Sequence, residues 1–333
     1  MREEDIHKTA LTTHMGSFEW CVLSMGLTNA PTTFQRSKQS VLGSFSTFCR
    51  IYLDDIIIFS ITREQHKQHL QQFLEALRKH QLKLYPKKCV FAVQQVDFLG
   101  HCISPGKIMM EEDIVGVVQQ WPVPTTKKEM QSFLGSINFY RNFIHNYAHI
   151  ASLLSDALHN NAPPSLWQQL PKAVLEAFNR TTEAMAAATA LQIMDATRQS
   201  VIYTDASDMI MGENLRQIDD HGRLVPVAFA SCKLTTTETN YAARDKELLA
   251  VVCACEKWCH YLQGKPFVKR TDHRSLELLT TMQLKSLSTT NKRLARWAET
   301  IADFHFTIEH IPGKANVADA LSRLPHGHNS PHW

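Results

Sequence analysis

Val201-Ile202-Tyr203-Thr204-Asp205-Ala206-Ser207 opens the part of the chain whose pattern decides the fold. Its β-branched and aromatic residues favour a strand, and Asp205 stands where that strand presents one face of a sheet. From Ser200 onward the pattern predicts strand, strand, long helix, strand, helix, helix, strand, helix, which is a compact α/β unit. The long helix is expected over about 238 to 262, with Leu248, Val251, Val252, Cys255, Trp258 and Leu262 on its buried stripe. Glu247 lies four residues before Val251, on that same side, where an ordinary surface glutamate would not sit. Asp272 closes the strand Phe267-Val268-Lys269-Arg270-Thr271, and Asp319 stands at the start of the final helix in Asn316-Val317-Ala318-Asp319-Ala320-Leu321.

Four acids on four elements suit one kind of chemistry. Two Mg²⁺ ions about 3.5–4 Å apart need hard oxygen ligands from several directions, with positions left open for a phosphate and an attacking water. Taken singly, each acid also has a plain structural use: Asp319 as compensation for a helix dipole, Asp272 as a turn former. Spacing alone leaves both uses open.

Working outward, Cys49-Arg50-Ile51-Tyr52-Leu53-Asp54-Asp55-Ile56-Ile57-Ile58-Phe59-Ser60 predicts a β-hairpin with two acids at its turn. A helix is expected from about 63 to 80, with Leu70, Phe73, Leu74 and Leu77 at helical spacing and Arg78, Lys79 and His80 in its last turn, and short strands follow through Ile103. After Trp121-Pro122-Val123-Pro124, Thr125 or Thr126 is placed to cap a helix carrying Met130, Phe133, Leu134 and Ile137. Asn160-Asn161-Ala162-Pro163-Pro164-Ser165 has linker composition, and another helix is expected over roughly 171 to 190.

At 333 residues there is room for two or three domains. Lysine plus arginine (35) barely exceeds aspartate plus glutamate (32), so any phosphate-binding surface must be local. Arg78, Lys79, Lys83, Lys87, Lys88, Lys127 and Lys128 are candidates, although a run of charge is more often a solvated face. No apolar run of membrane-spanning length occurs, and the eight cysteines form no disulfide framework, which implies reduced thiols and an intracellular setting, cytoplasmic or nuclear. Cys253, Cys255, Cys259 and His260 lack paired zinc spacing and are expected to be small core residues of the long helix.

The strings around the four acids carry a resemblance. Tyr203-Thr204-Asp205-Ala206-Ser207, Tyr241 to Glu247-Leu248-Leu249-Ala250, Thr271-Asp272-His273-Arg274-Ser275-Leu276 and Pro312-Gly313-Lys314-Ala315-Asn316-Val317-Ala318-Asp319-Ala320-Leu321-Ser322-Arg323 resemble, in order and spacing, the ribonuclease H domain of gypsy-type LTR retrotransposon Pol polyproteins. The resemblance implies metal-binding, catalytic roles for Asp205, Glu247, Asp272 and Asp319. Upstream, Tyr52-Leu53-Asp54-Asp55, Gly26-Leu27-Thr28-Asn29-Ala30-Pro31-Thr32-Thr33-Phe34-Gln35 and Phe98-Leu99-Gly100-His101 resemble the palm of that family's reverse transcriptase. This implies catalytic metal binding by Asp54 and Asp55 and nucleic-acid contacts at Gln35, Tyr52, Gly100 and His101. The stretch Phe133 to Ile144 resembles the thumb.

The fold implied is α/β and α+β multidomain: a partial palm over 1–118, thumb and connector over 119–195, a ribonuclease H-like α/β domain with a mixed sheet over 196–325, and a tail over 326–333. The function implied is hydrolysis of the RNA strand of RNA–DNA hybrids with two Mg²⁺, Mn²⁺ being the other candidate, and a hybrid or primer–template duplex as partner. In that family a further catalytic acid precedes the segment corresponding to Arg2, so polymerisation by this chain alone is expected to be impaired, unless the chain is one piece of a longer reading frame.

Two departures stand out. Ser24-Met25 replaces the family's proline and bulky aromatic, to which little weight attaches. After Gly212 the family continues with small or apolar residues, whereas Glu213 and Asn214 stand here. On a central strand one of them must enter the core, at a cost of several kcal/mol, on the order of a buried unpaired charge; a bulge would instead let both reach solvent. The rival expectation is therefore a catalytically silent transposon remnant or a co-opted nucleic-acid-binding protein.

Overall fold

In the computed structural model, the structure describes residues 1–159, 167, 169–273, 292–312, 316 and 318. The expected site residue Asp319 and the linker at 160–165 lie outside the described residues. Two contact-defined units divide the chain after Leu99. No helix among the described residues is long and apolar enough to cross a membrane.

The first unit contains hairpin β1 (Leu11–Thr13) and β2 (Gly16–Phe18), helix α1 (Ala30–Leu42), hairpin β3 (Cys49–Tyr52) and β4 (Asp55–Ile58), helix α2 (Arg63–Lys79) and strand β5 (Val96–Phe98). The Thr62 hydroxyl accepts from the Gln65 N–H and starts α2. A small core of Leu42, Phe48, Cys49, Phe73 and Leu77 ties α1 and α2 to the β3–β4 hairpin.

The second unit begins with hairpin β6 (His101–Ser104) and β7 (Lys107–Met110), followed by helices α3 (Glu112–Gln119), α4 (Lys127–Phe139), α5 (Tyr147–His159) and α6 (Lys172–Ala186). Of the two threonines expected to cap α4, Thr126 does so, accepting from the Glu129 N–H, while the Glu129 carboxylate accepts from the Thr125 N–H and hydroxyl. Met130, Phe133 and Ile137 of α4 join Leu154, Phe178 and Met185 in one apolar core. Strand β8 (Leu191–Gln192) then adds to β7.

The last part holds β9 (Ser200–Ala206), β10 (Ile210–Ile218), β11 (Leu224–Lys233), helix α7 (Ala243–Lys257), β12 (Phe267–Thr271), helix α8 (Lys292–Ala302) and β13 (Phe306–His310). The five strands run in the order β11-β10-β9-β12-β13, antiparallel as far as β9 and parallel from β9 to β13, so the sheet is mixed as expected. Leu248, Val251, Val252 and Cys255 of α7 pack on the face that carries Ile202 and Leu215. Phe229 of β11 joins the core of α4, α5 and α6, and the Ala148 N–H donates to the Ser231 hydroxyl at 2.8 Å. Across the parallel strands, Arg270 donates to the Tyr203 hydroxyl (2.8 Å) and to the Glu309 carboxylate (3.0 Å), pinning the register of β9, β12 and β13.

Three expectations need correction. Where two strands are expected before the long helix, three form, β9, β10 and β11, because the turn at Asp219–Gly222 returns the chain as a third strand paired to β10. The helix expected over 238–262 is divided: Thr235 and Glu238 cap each other and start a separate 3₁₀ turn (Glu238–Asn240), α7 runs from Ala243, and Trp258 separates it from a last turn, Cys259–Leu262. Of the four residues expected in its core, Cys255 is buried, but Cys259 and His260 are exposed beyond the end of α7. The third correction concerns Glu213 and Asn214, for which a bulge is no escape. The register shift falls at Leu215/Arg216, beyond both residues, and both are buried in the middle strand pair, Glu213 between Thr204 and Ala230, Asn214 between Tyr203 and Phe229. Glu213 Oε1 and both polar atoms of the Asn214 amide have no hydrogen-bond partner among the described residues. Such groups cost on the order of 1–3 kcal/mol each.

Burial holds the Glu213 carboxyl up at about 7, with Lys257 opposing. The folded chain therefore retains a proton that the unfolded chain releases near 4.5, and stability falls as pH rises through that interval and stays reduced above 7. Glu213→Ala is expected to raise the unfolding free energy at pH 8 by about 2 kcal/mol, the relief of ionisation less a small cavity. At pH 4.5 the gain should be much smaller, as urea titrations at the two pH values will show.

Candidate active site

Parallel pairing of β9 with β12 sets the site. The ladder ends at Arg270 opposite Tyr203, and two residues further along each strand stand Asp272 and Asp205. Side chains alternate, so Asp205 shares a face with Tyr203 and Asp272 with Arg270, on one side of the sheet and at the carboxyl ends of parallel strands. Glu247 arrives from α7, which covers the opposite face, and its Oε1 accepts from the Ala206 N–H at 3.0 Å, just past Asp205. Three of the four acids expected to act together therefore meet at one strand end.

The environment is dry. Asp205 and Glu247 are 7% and 5% exposed, and Asp272 is half-buried. Burial, and then the Asp205 charge, hold the Glu247 carboxyl well above the ordinary carboxylate range, with Lys269 and the Ala206 N–H opposing and Asp272 adding to the rise. Glu247 Oε2 is buried with no hydrogen-bond partner among the described residues. An orphaned carboxylate oxygen beside two further acids is the donor set a hard divalent cation takes, so the residues fit such an ion, although among the described residues no three acids yet close around one point.

Two neighbours escaped the sequence reasoning. Lys269 is 1% exposed and donates to the Arg270 carbonyl at 2.6 Å. Burial lowers its pKa, while Glu247, Asp205 and Asp272 oppose that fall. A lysine on the core face of a central strand was the available signal. Asn316, 4% exposed, donates from its amide to the Thr204 carbonyl and to Asp272 Oδ1, each at 3.3 Å.

The acids of the first unit are a separate case. Leu53 and Asp54 form the two-residue turn between β3 and β4, with Leu53 at φ +46° and Asp55 opposite Tyr52. Asp54, Asp55 and Tyr52 are exposed. The Gln35 amide of α1 clamps this turn, donating to the Ile51 carbonyl at 3.0 Å and accepting from the Leu53 N–H at 2.8 Å. Lys38, one helical turn on, donates to the Leu53 carbonyl and lies 3.9 Å from Asp54. Burial lowers the Lys38 pKa against the pull of both aspartates.

Gly100 and His101, also expected to contact nucleic acid, sit against the end of α4 in the second unit. Gly100 adopts φ +79° and its carbonyl accepts from the Tyr140 hydroxyl at 2.8 Å; a Cβ there would meet that hydroxyl oxygen at 3.0 Å. His101 stacks on Phe139 with ring centroids 5.3 Å apart, and burial lowers its pKa.

Residues 1–103 match the reverse transcriptase (RNA-dependent DNA polymerase) family, and residues 195–304 match the RNase H-like domain found in reverse transcriptase. Both kinds of enzyme generally depend on divalent metal. The chain is 37% identical over 326 residues to a retrovirus-related Pol polyprotein from transposon 297 of Drosophila melanogaster, which covers 97% of this chain and 30% of the relative. It is 34% identical over 328 residues to the transposon Tf2-3 polyprotein of Schizosaccharomyces pombe, again covering 97% of this chain, and 24% of the relative. The chain thus spans about a third or less of these relatives. In fold it is similar to the foamy viral protease-reverse transcriptase in complex with RNA/DNA hybrid (TM-score 0.78, 21% identity, all of this chain and 44% of that one). It is equally similar to the same viral protein in complex with double-stranded DNA (TM-score 0.78, 22% identity, 93% of this chain and 64% of that one).

Removing the clamp should loosen the acidic turn. Gln35→Ala deletes two hydrogen bonds worth about 1 kcal/mol each, so amide exchange at Leu53 is expected to quicken by at least about tenfold while exchange in α2 stays unchanged. Hydrogen-exchange NMR checks it.

Proposed function

We propose that this chain, which carries reverse transcriptase and ribonuclease H-like domains related to those of transposon Pol polyproteins, hydrolyses the RNA strand of RNA–DNA hybrids at the centre formed by Asp205, Glu247 and Asp272. Asp319 is the fourth acid of that proposal. The observation that carries it is the meeting of Asp205 and Asp272 at adjacent parallel strand ends with the orphaned Glu247 oxygen beside them.

Asp205, Glu247, Asp272 and Asp319 would hold two divalent ions, Mg²⁺ or Mn²⁺. When bound, such ions lower the pKa of an attacking water and stabilise charge on the leaving oxygen. The protein's own part is to position and to desolvate. The Ala206 N–H fixes one Glu247 oxygen, leaving the other free as a ligand. The parallel ladder holds the two aspartates at strand spacing, and a buried cluster of acids is preorganised for cations because no water must be reorganised around it. Asp54 and Asp55, open to solvent on a clamped turn, are the proposed metal ligands of the reverse transcriptase segment, with Gln35, Tyr52, Gly100 and His101 its nucleic-acid contacts. We assign the domains as 1–118, 119–195 and 196–325, followed by a tail.

A second reading, a folded but catalytically silent remnant, draws on one observation: Glu213 and Asn214 are buried in the sheet that carries Asp205, with Glu213 Oε1 and the Asn214 amide lacking partners among the described residues. One assay separates the two. The purified chain in Mg²⁺ is expected to cleave a labelled RNA strand within an RNA–DNA hybrid, and Asp205→Asn and Glu247→Gln are each expected to lower the rate by at least about 100-fold, the scale of a lost transition-state contact. A folded chain that cleaves in neither Mg²⁺ nor Mn²⁺ would favour the silent remnant.

A further inference from the structure

Asn316 bonds to both strand ends that carry the aspartates of the candidate site, and nothing in the proposed chemistry yet uses it. Its amide nitrogen has two hydrogens, and both are spent: one on the Thr204 carbonyl in β9, the residue before Asp205, and one on Asp272 Oδ1. Its oxygen accepts from the Ala318 N–H at 3.1 Å, which turns the chain locally as an Asx turn does. The side chain is 4% exposed, so each bond is shielded from competing water. Ala318 is itself wholly buried against Val201, Tyr203 and Val268.

We infer that Asn316 is a positioning residue: its amide holds the Asp272 carboxylate in the orientation from which the site binds divalent metal, while its oxygen separately accepts from the Ala318 N–H. This rests on the metal-dependent nuclease reading above. The physical argument is one of geometry and charge. The Asp205 and Asp272 carboxylates carry like charge beside the buried Glu247, and an unrestrained, half-buried Asp272 carboxylate would turn away from them toward solvent. A neutral donor restrains it without adding a cation to the cluster. Oδ1 is held by the amide, and the carboxylate keeps its full charge for a metal. A bond from the same nitrogen to the Thr204 carbonyl references Asp272 to the strand that carries Asp205.

Asn316→Ser separates the two functions of the side chain. Serine still offers an oxygen to the Ala318 N–H, because serine and asparagine are comparable in that role, but it lacks the donors that reach Thr204 and Asp272. The measurement is Mn²⁺ binding to the purified full chain by calorimetry, without nucleic acid, alongside thermal unfolding and hybrid cleavage. Expected for Asn316→Ser are an unchanged fold by circular dichroism, Mn²⁺ affinity lower by about tenfold, and cleavage that recovers at raised Mn²⁺ with little change in KM for the hybrid. In an Asp272→Asn background the same substitution should change Mn²⁺ affinity by less than about twofold, since the coupling is then already gone. Wild-type Mn²⁺ affinity in Asn316→Ser, or an equal loss in both backgrounds, overturns the inference while leaving the nuclease reading intact. An Asn316→Ser chain that does not fold assigns the residue to structure alone and overturns it too. A wild-type chain that neither binds Mn²⁺ nor cleaves the hybrid overturns the nuclease reading and this inference with it.

Discussion

The register between β9 and β12 is the constraint on which the rest of the site depends. Parallel strands align their carboxyl ends, and the ladder from Phe267 opposite Ser200 to Arg270 opposite Tyr203 brings Asp272 and Asp205 out side by side. A slip of one residue would move one of the two aspartates to the opposite face of the sheet. Arg270 guards against that slip, since its bonds to Tyr203 and Glu309 span three strands at matched positions. Everything else at the site is referenced to this pair: Glu247 through the Ala206 N–H, Asn316 through the Thr204 carbonyl.

The same sheet carries two kinds of buried polarity. Around Asp205, acids and Lys269 share one desolvated cluster in which opposite charges face each other and a free carboxylate oxygen has a chemical use. Around Glu213 and Asn214 there is burial without partners and without a ligand-binding purpose in the proposed chemistry. Both lower stability for the same reason, the loss of hydration. Only the first sets opposite charges against one another, Lys269 against Glu247, Asp205 and Asp272. The fold tolerates the second because the strand is anchored on both sides by antiparallel ladders that are regular through Glu213 and Asn214, and by Leu215, which is fully buried in the α7 core.

In the first unit, order is local. The Asp54–Asp55 turn is held by two side chains one helical turn apart on α1, Gln35 and Lys38, which bond to the backbone on both sides of the turn. A turn with a non-glycine residue at φ +46° is disfavoured by local sterics, and these bonds offset that preference.

By itself the sequence determined many of the element types, although it predicted two strands before α7 where three form and did not mark α3 or α5. Apolar alternation around Val201 to Asp205, the buried stripe of α7, the acidic hairpin and the cap at Thr126 all follow from local periodicity and side-chain chemistry, which act over a few residues. Asp205, Glu247 and Asp272 each close or line an element whose pattern is plain, but that pattern left ordinary structural uses open, and their metal-binding role came from the resemblance of the strings around them. What only the tertiary structure decided are relations between residues far apart in the chain: the order β11-β10-β9-β12-β13, the burial of both Glu213 and Asn214, and the placing of Lys269 and Asn316 among the acids. Asn316 and Thr204 stand 112 positions apart, and no local pattern encodes a bond between them. Long-range pairing is set by how the elements bury their faces together, and a side chain's role follows from the neighbours that packing gives it.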